Sequence, residues 1–262
     1  MNFKRNGYSI TQQYKQSYMR RYFNQSKINQ KFIFLRHNSQ YARLLTAPDN
    51  VQKYLRPSVK LQDNKDMLDT MIHDFILIPD FITQEEHDTI VKLCESKLKK
   101  SLGRNAIYEE GHFDGVINKY KECSASHWIP SHSERAKWMD QFIQQRVYAA
   151  FFPAEFEWLD PHILDLAKDG EIRGHVDNKE ASGSVVAGLC LKSPCKMILQ
   201  HEDDNQYQLD VLLNPRSFYI QRDFVRYQFK HAIASDKESI WDNEPFIKQD
   251  RISLLFRNKK GY

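Results

Sequence analysis

Three short groupings of residues could do chemistry. The first is His175-Val176-Asp177. On a strand, alternation puts His175 and Asp177 on one face and Val176 on the other. An imidazole and a carboxylate then converge from one strand end, and Gly174 just before them allows close backbone approach. His231, far along the chain, can add a second imidazole. Two histidines and one carboxylate form the facial triad that holds Fe(II) and leaves coordination positions open for a cosubstrate and oxygen. The second grouping, His112-Phe113-Asp114, has the same spacing. It lies between Gly111 and Gly115 in a stretch without strand pattern, so context favours residues 175–177. The third is Arg251-Ile252-Ser253-Leu254-Leu255-Phe256-Arg257. Alternation puts Arg251, Ser253, Leu255 and Arg257 on one side of a strand. Inward-facing arginines are costly unless they meet anions. A dicarboxylic acid is such a partner, because guanidinium binds carboxylate as a two-pronged fork.

These groups need a scaffold. From Trp158 onward, short β-type runs alternate with turn residues: 162–166, 172–176, 184–191, 196–201, 207–213, 217–220, 227–231 and 252–256. Strands at that spacing imply a β sandwich or barrel. Upstream, Phe75-Ile76-Leu77-Ile78 closes on Pro79-Asp80 as a strand and turn. Thr83 with Glu86 three residues on is a capping box. It opens an amphipathic helix over 84–100, with Ile90, Leu93, Cys94 and Leu98 on one face and Gly103 to end it. Ser133 caps a second helix carrying Trp138, Phe142 and Val147. The fold class is therefore α+β and mostly β, with helices flanking a β core on its N-terminal side. Residues 49–73 are polar and without period, which reads as a linker ahead of a domain over 74–262.

Charge is distributed unevenly. The chain of 262 residues has 38 Lys and Arg against 34 Asp and Glu, a net +4. Up to Pro48 there are nine basic residues and no acidic one; removing them leaves 29 against 34, a charge of −5. An acid-free, Arg-bearing leader of this kind has the composition of a mitochondrial transit peptide. Residues 1–48 are expected to be cleaved on import into the matrix. No apolar run is long enough for a membrane span. Cys94, Cys123, Cys190 and Cys195 form no C-x-x-C pair and read as reduced thiols.

The order H-x-D, distal His and R-x5-R resembles the AlkB family of Fe(II)- and 2-oxoglutarate-dependent dioxygenases. Ile78-Pro79-Asp80-Phe81-Ile82-Thr83, His162-Ile163-Leu164-Asp165-Leu166 and Arg226-Tyr227-Gln228-Phe229-Lys230-His231 are similar to its mitochondrial branch, the seventh in animals. The likeness runs from about Phe75 to Arg257. It implies a double-stranded β-helix, or jelly roll, with His175, Asp177 and His231 as iron ligands. It implies Arg251, with its neighbours Ile252 and Ser253, at the distal carboxylate of 2-oxoglutarate. Arg257 and Tyr219 would lie at the rest of that cosubstrate, and O2 would be the oxidant. The family pattern usually has Asn two residues after the first Arg, where this chain has Ser253. The resemblance implies a protein substrate or mitochondrial partner, and a role in fatty acid metabolism or programmed necrosis. The alternatives are an RNA demethylase of mitochondrial transcripts or a largely regulatory protein on the same fold. Duplex DNA is disfavoured by the net negative charge after residue 48, because non-specific affinity depends on neutralising phosphates. A reporter fused to residues 1–48 is expected to enter mitochondria. Retention in the cytosol on imaging and fractionation would refute the targeting reading.

Overall fold

In the computed structural model, the β-type runs hydrogen-bond into one large antiparallel sheet. The structure describes residues 53–111 and 115–261. The leader 1–48 and His112-Phe113-Asp114 lie outside the described residues. In chain order the strands are β1 (Leu55–Pro57), β2 (Phe75–Ile78), β3 (Ile117–Ser124), β4 (His162–His175), β5 (Val185–Leu191) and β6 (Cys195–His201). They continue with β7 (Gln208–Leu213), β8 (Phe218–Arg222), β9 (Phe229–Ile233), a small β10–β11 hairpin (Ile240–Trp241 and Glu244–Pro245), and β12 (Arg251–Arg257). The helices are α1 (Val59–Asp63), α2 (Lys65–Asp74), α3 (Gln84–Leu102), α4 (Glu134–Phe142) and α5 (Asp223–Gln228).

The sheet order is β1-β7-β6-β9-β4-β12-β5-β8-β2, with β3 added along β4. The sheet rolls up. Gln221 on β8 donates to the Met197 sulfur on β6 at 3.8 Å, although four strands lie between β6 and β8 in the order. Leu55, Leu209 and Met197 from one end share a core with Phe75 and Tyr219 from the other. This is the jelly roll. Its outer face is covered by α3 and α4. Thr83 and Glu86 form the capping box, Ile90, Leu93, Cys94 and Leu98 are buried, and Gly103 ends the helix at φ 98°. The Ser133 hydroxyl accepts from Ala136 N at the start of α4, which runs on as a π-helical stretch over Ile143–Tyr148. Phe81, Phe142, Phe151 and Phe218 fill the layer between helices and sheet.

Three segments differ from the sequence expectation. The expected linker 49–73 is, from residue 53 on, part of the folded domain. Leu55 pairs with Val211 across β1 and β7. Ser58 and Asn64 cap α1 and α2. Leu61 and Met71 are fully buried. The charged residues between these few apolar positions concealed the period. Second, Lys168-Asp169-Gly170 does not end a strand: β4 runs through it as a bulge opposite Lys119. Residues 162–166 pair with β12, whereas Ile172 and His175 pair with β9, so β4 changes neighbour there. Gly170 permits this because a Cβ would meet the carbonyls of Asn118 and Lys119 at 2.8 Å. Third, the run 227–231 begins as helix α5 and becomes strand only at Phe229.

Because α1 and α2 belong to the core, Leu61→Ala or Met71→Ala is expected to cost about 2–5 kcal/mol, as for other fully buried large side chains. Urea unfolding measures this. A loss under about 0.5 kcal/mol, the level of surface changes, would return the segment to linker status.

Candidate metal and cosubstrate site

The site begins with a register. β4 and β9 are antiparallel, and His175 stands directly opposite His231. Their ring centroids are 4.3 Å apart. Strand β4 ends at His175, so Asp177 sits in the loop that follows and not on the strand. There the Asn178 side chain accepts from Glu180 N at 2.8 Å and the Asn178 carbonyl accepts from Ala181 N at 3.2 Å. This turn brings the Asp177 carboxylate back toward the imidazoles. Its Oδ1 is 3.3 Å from His175 Nε2 and 3.6 Å from His231 Nε2. One ligand atom from each of the three lies within 4.8 Å of the others.

The electrostatics suit a cation. His175 Nδ1 donates to the Arg173 carbonyl at 2.9 Å. With Nδ1 committed, Nε2 can approach Oδ1 favourably only with a cation between them, a proton or a metal ion. A hydrogen bond from the far ring nitrogen to a carbonyl is also how metal-bound imidazoles are oriented. Burial pushes the His231 imidazole down to about 4, against the raising effect of the Asp177 carboxylate. At neutral pH His231 therefore keeps a free lone pair, which a metal ligand needs. Burial acts to raise the Asp177 carboxyl. The hydrogen bond with His175 and the nearby Arg257 and His231 outweigh it, holding the group well below the usual carboxylate range. Arg257 Nε donates to Asp177 Oδ2 at 2.8 Å, leaving Oδ1 for the histidine side.

Behind the triad lies an interior built by β12, β5 and β8. Arg251 is 2% exposed, and among the described residues no carboxylate reaches it. Its Nε has no partner, and its Nη2 lies 4.0 Å from the sulfur of Cys190. Ser253 on the same face is buried with its hydroxyl unpartnered. Tyr219 is buried beside them, within electrostatic reach of Cys190, Arg251, Arg257 and Asp177. Its ring crosses β5 over Gly188, where a Cβ would lie 2.5 Å away. Ile252 does not join this group. Alternation turns it to the opposite face with Leu254 and Phe256, the face where Phe256 meets Tyr148 edge-on. Its side chain therefore takes no part in this inner group.

Two neighbours were missed as site residues. Cys190 was read only as a reduced thiol; it is reduced, and burial pushes it up to about 11. Arg226 was quoted only within a family-like string; it grips the Asp177 loop. No signal in the sequence placed Cys190, because its position depends on the β5–β12 register that pairs it with Ser253.

No model of a known protein family matches the chain. Curated relatives do. Over 184 residues the chain is 37% identical to a mouse protein named alpha-ketoglutarate-dependent dioxygenase alkB homolog 7, mitochondrial, covering 70% of this chain and 77% of that one. The cattle protein of the same name is 35% identical over the same shares. The chain belongs to the AlkB-homologue family of alpha-ketoglutarate-dependent dioxygenases. A Pseudomonas putida prolyl-4-hydroxylase shares the fold at 13% identity, with a TM-score of 0.51 over 77% of this chain and all of that one. As an AlkB homologue the chain is a 2-oxoglutarate-dependent oxidoreductase, with Fe(II), 2-oxoglutarate and O2 as the family's cofactor and cosubstrates. Its residues fit them: two imidazoles and a carboxylate oxygen for the metal, and a buried guanidinium without counter-ion for a carboxylate.

That missing counter-ion gives a test on the AlkB homologue itself. Without 2-oxoglutarate, Arg251→Met is expected to unfold at the same or a higher urea concentration than wild type, since it removes a buried unpaired charge. With 2-oxoglutarate at one hundred times its dissociation constant, wild type should gain about 2.7 kcal/mol and the variant little. Equal gains would place the anion elsewhere.

Proposed function

We propose that this AlkB homologue is a mitochondrial oxygenase of a protein substrate. In this reading His175 Nε2, Asp177 Oδ1 and His231 Nε2 hold Fe(II), and Arg251 pairs with the distal carboxylate of 2-oxoglutarate. The observation that carries it is the conjunction of a three-ligand cluster with a buried, unpaired arginine on the same inner face of the roll. When bound, iron and 2-oxoglutarate couple oxidative decarboxylation to succinate with insertion of one oxygen atom of O2 into a substrate C–H bond.

The chain's own residues supply position and a dry setting. Arg257 holds Oδ2 of Asp177 so that Oδ1 serves the metal. Arg251 offers a planar fork to a carboxylate, with the Ser253 and Tyr219 hydroxyls as further donors. Leu255 and Leu164, both buried in the interior core, exclude water. The preference for a protein substrate rests on charge. Two of the cations flanking the triad are matched by acids: Arg173 with Glu171 at 3.3 Å, and Lys179 with Glu202 at 3.3 Å. Such pairs leave little net positive charge for phosphates, which dominate nucleic-acid affinity. Both named relatives are mitochondrial, and the acid-free leader 1–48 agrees with that address, with the matrix as destination.

Mn(II) titration tests the site first. His175→Ala and His231→Ala should each weaken binding more than about 100-fold, beyond the usual effect of losing a supporting residue. Arg251→Lys, which keeps charge but loses the fork, should weaken 2-oxoglutarate clearly while sparing the metal. Incubation under 18O2 with mitochondrial protein extract, and separately with methylated RNA and DNA oligonucleotides, then tests the substrate. Label is expected in protein. Demethylation of RNA with no labelled protein would overturn the protein reading in favour of an RNA demethylase.

A further inference from the structure

One buried charge near the triad has no counter-ion and a different set of partners. Arg226 is 3% exposed and lies on α5. Its Nη1 donates to the carbonyl of Asp177 at 3.1 Å, and its Nη2 to the carbonyl of Asn178 at 3.3 Å and to the Ser182 hydroxyl at 3.1 Å. Its Nε has no partner. A guanidinium shut away from water and satisfied only by neutral acceptors is costly to the fold. An arginine placed for packing would not need to bridge two successive peptide carbonyls.

We propose that Arg226 is a positioning residue that fixes the backbone of the Asp177 loop against the strand carrying His231. The inference rests on the metal-site reading above. Arg226 stands on the helix that runs directly into β9, five residues before His231. Its other end is anchored: Phe224 N donates to the fully buried carboxylate of Asp74 at 3.1 Å, and Arg222 Nη2 donates to the His73 carbonyl at 2.9 Å. The hold on the loop is therefore referred to α2, and through α5 to β9. Arg226 and Arg257 divide the work on one residue. Arg257 sets the Asp177 side chain through Oδ2, and Arg226 sets its main chain. Two parallel N–H donors match two carbonyls along a turn, and a lysine ammonium lacks that planar fork.

The test compares full-length wild type, Arg226→Met and Arg226→Lys, using Mn(II) affinity and hydrogen–deuterium exchange of the metal-free protein. Arg226→Met should bind Mn(II) 10–100-fold more weakly, the range for loss of a residue supporting a ligand. Exchange should accelerate in residues 176–183 while β4 and β9 keep their protection. Arg226→Lys should fall between the other two. Wild-type affinity in Arg226→Met would overturn the proposal, as would acceleration spread through β4 and β9, the mark of a purely structural arginine. If Arg226→Met does not fold, Arg226→Lys carries both measurements, with the same outcomes for and against. Equal Mn(II) binding by wild type and His231→Ala would instead strike the metal-site reading.

Discussion

The pairing of β4 with β9 is the constraint on which the site depends. It sets His175 opposite His231, and backbone ladder bonds fix that relation far more firmly than any loop could. A slip of one residue would send one imidazole to the other face, since side chains alternate along a strand. The pairing exists because β4 is long enough to serve two neighbours. Its first half belongs to β12 and its second to β9. The strand that carries Arg251 and Arg257 and the strand that carries His231 thus meet the same β4, one after the other. The roll and the convergence of the two chemistries are one fact.

Only the carboxylate is left to a loop, and the structure compensates for that freedom. Asp177 lies beyond the ladder, where it can approach both histidines from outside. Arg257 on β12 and Arg226 on α5 hold it from two directions. Arg257 also offsets the charge of a carboxylate that is only 12% exposed. Removing it would leave a buried charge less well compensated, which is more damaging than replacing a whole pair.

Much of this was legible in the sequence, and the illegible parts have physical reasons. Helix α3 was readable because its cap, apolar face and terminating glycine are all local. The strands on either side of the site were readable from alternation. The unity of β4 was not, because Lys-Asp-Gly is a turn signal and here it only bulges the strand, with residues 167–170 standing against Lys119 of β3. The segment 53–73 was misread because four buried residues in a charged stretch, Tyr54, Leu55, Leu61 and Met71, carry little periodic signal. Within the site, residue types and order pointed to His175, Asp177, His231 and Arg251. Alternation, applied strictly to β12, would have put the Ile252 side chain on the opposite face. Cys190 and the grip of Arg226 depend on tertiary register, which no local pattern encodes.

The faults in local consistency gather around the site. Of six buried side-chain atoms without partners among the described residues, three lie here: Arg251 Nε, Ser253 Oγ and Arg226 Nε. Gly188 weakens the middle of a central strand so that a tyrosine ring can cross it. Each feature lowers stability, and an apolar residue would cure most of them. Sequences generally agree with their fold at every level except where function opposes it. Two of these three atoms, Arg251 Nε and Ser253 Oγ, lie on one inner face of the roll. The third belongs to the arginine that steadies the loop of Asp177. The remainder of the roll, from α2 to β8, is packed with buried apolar side chains that can bear the stability forgone at the site.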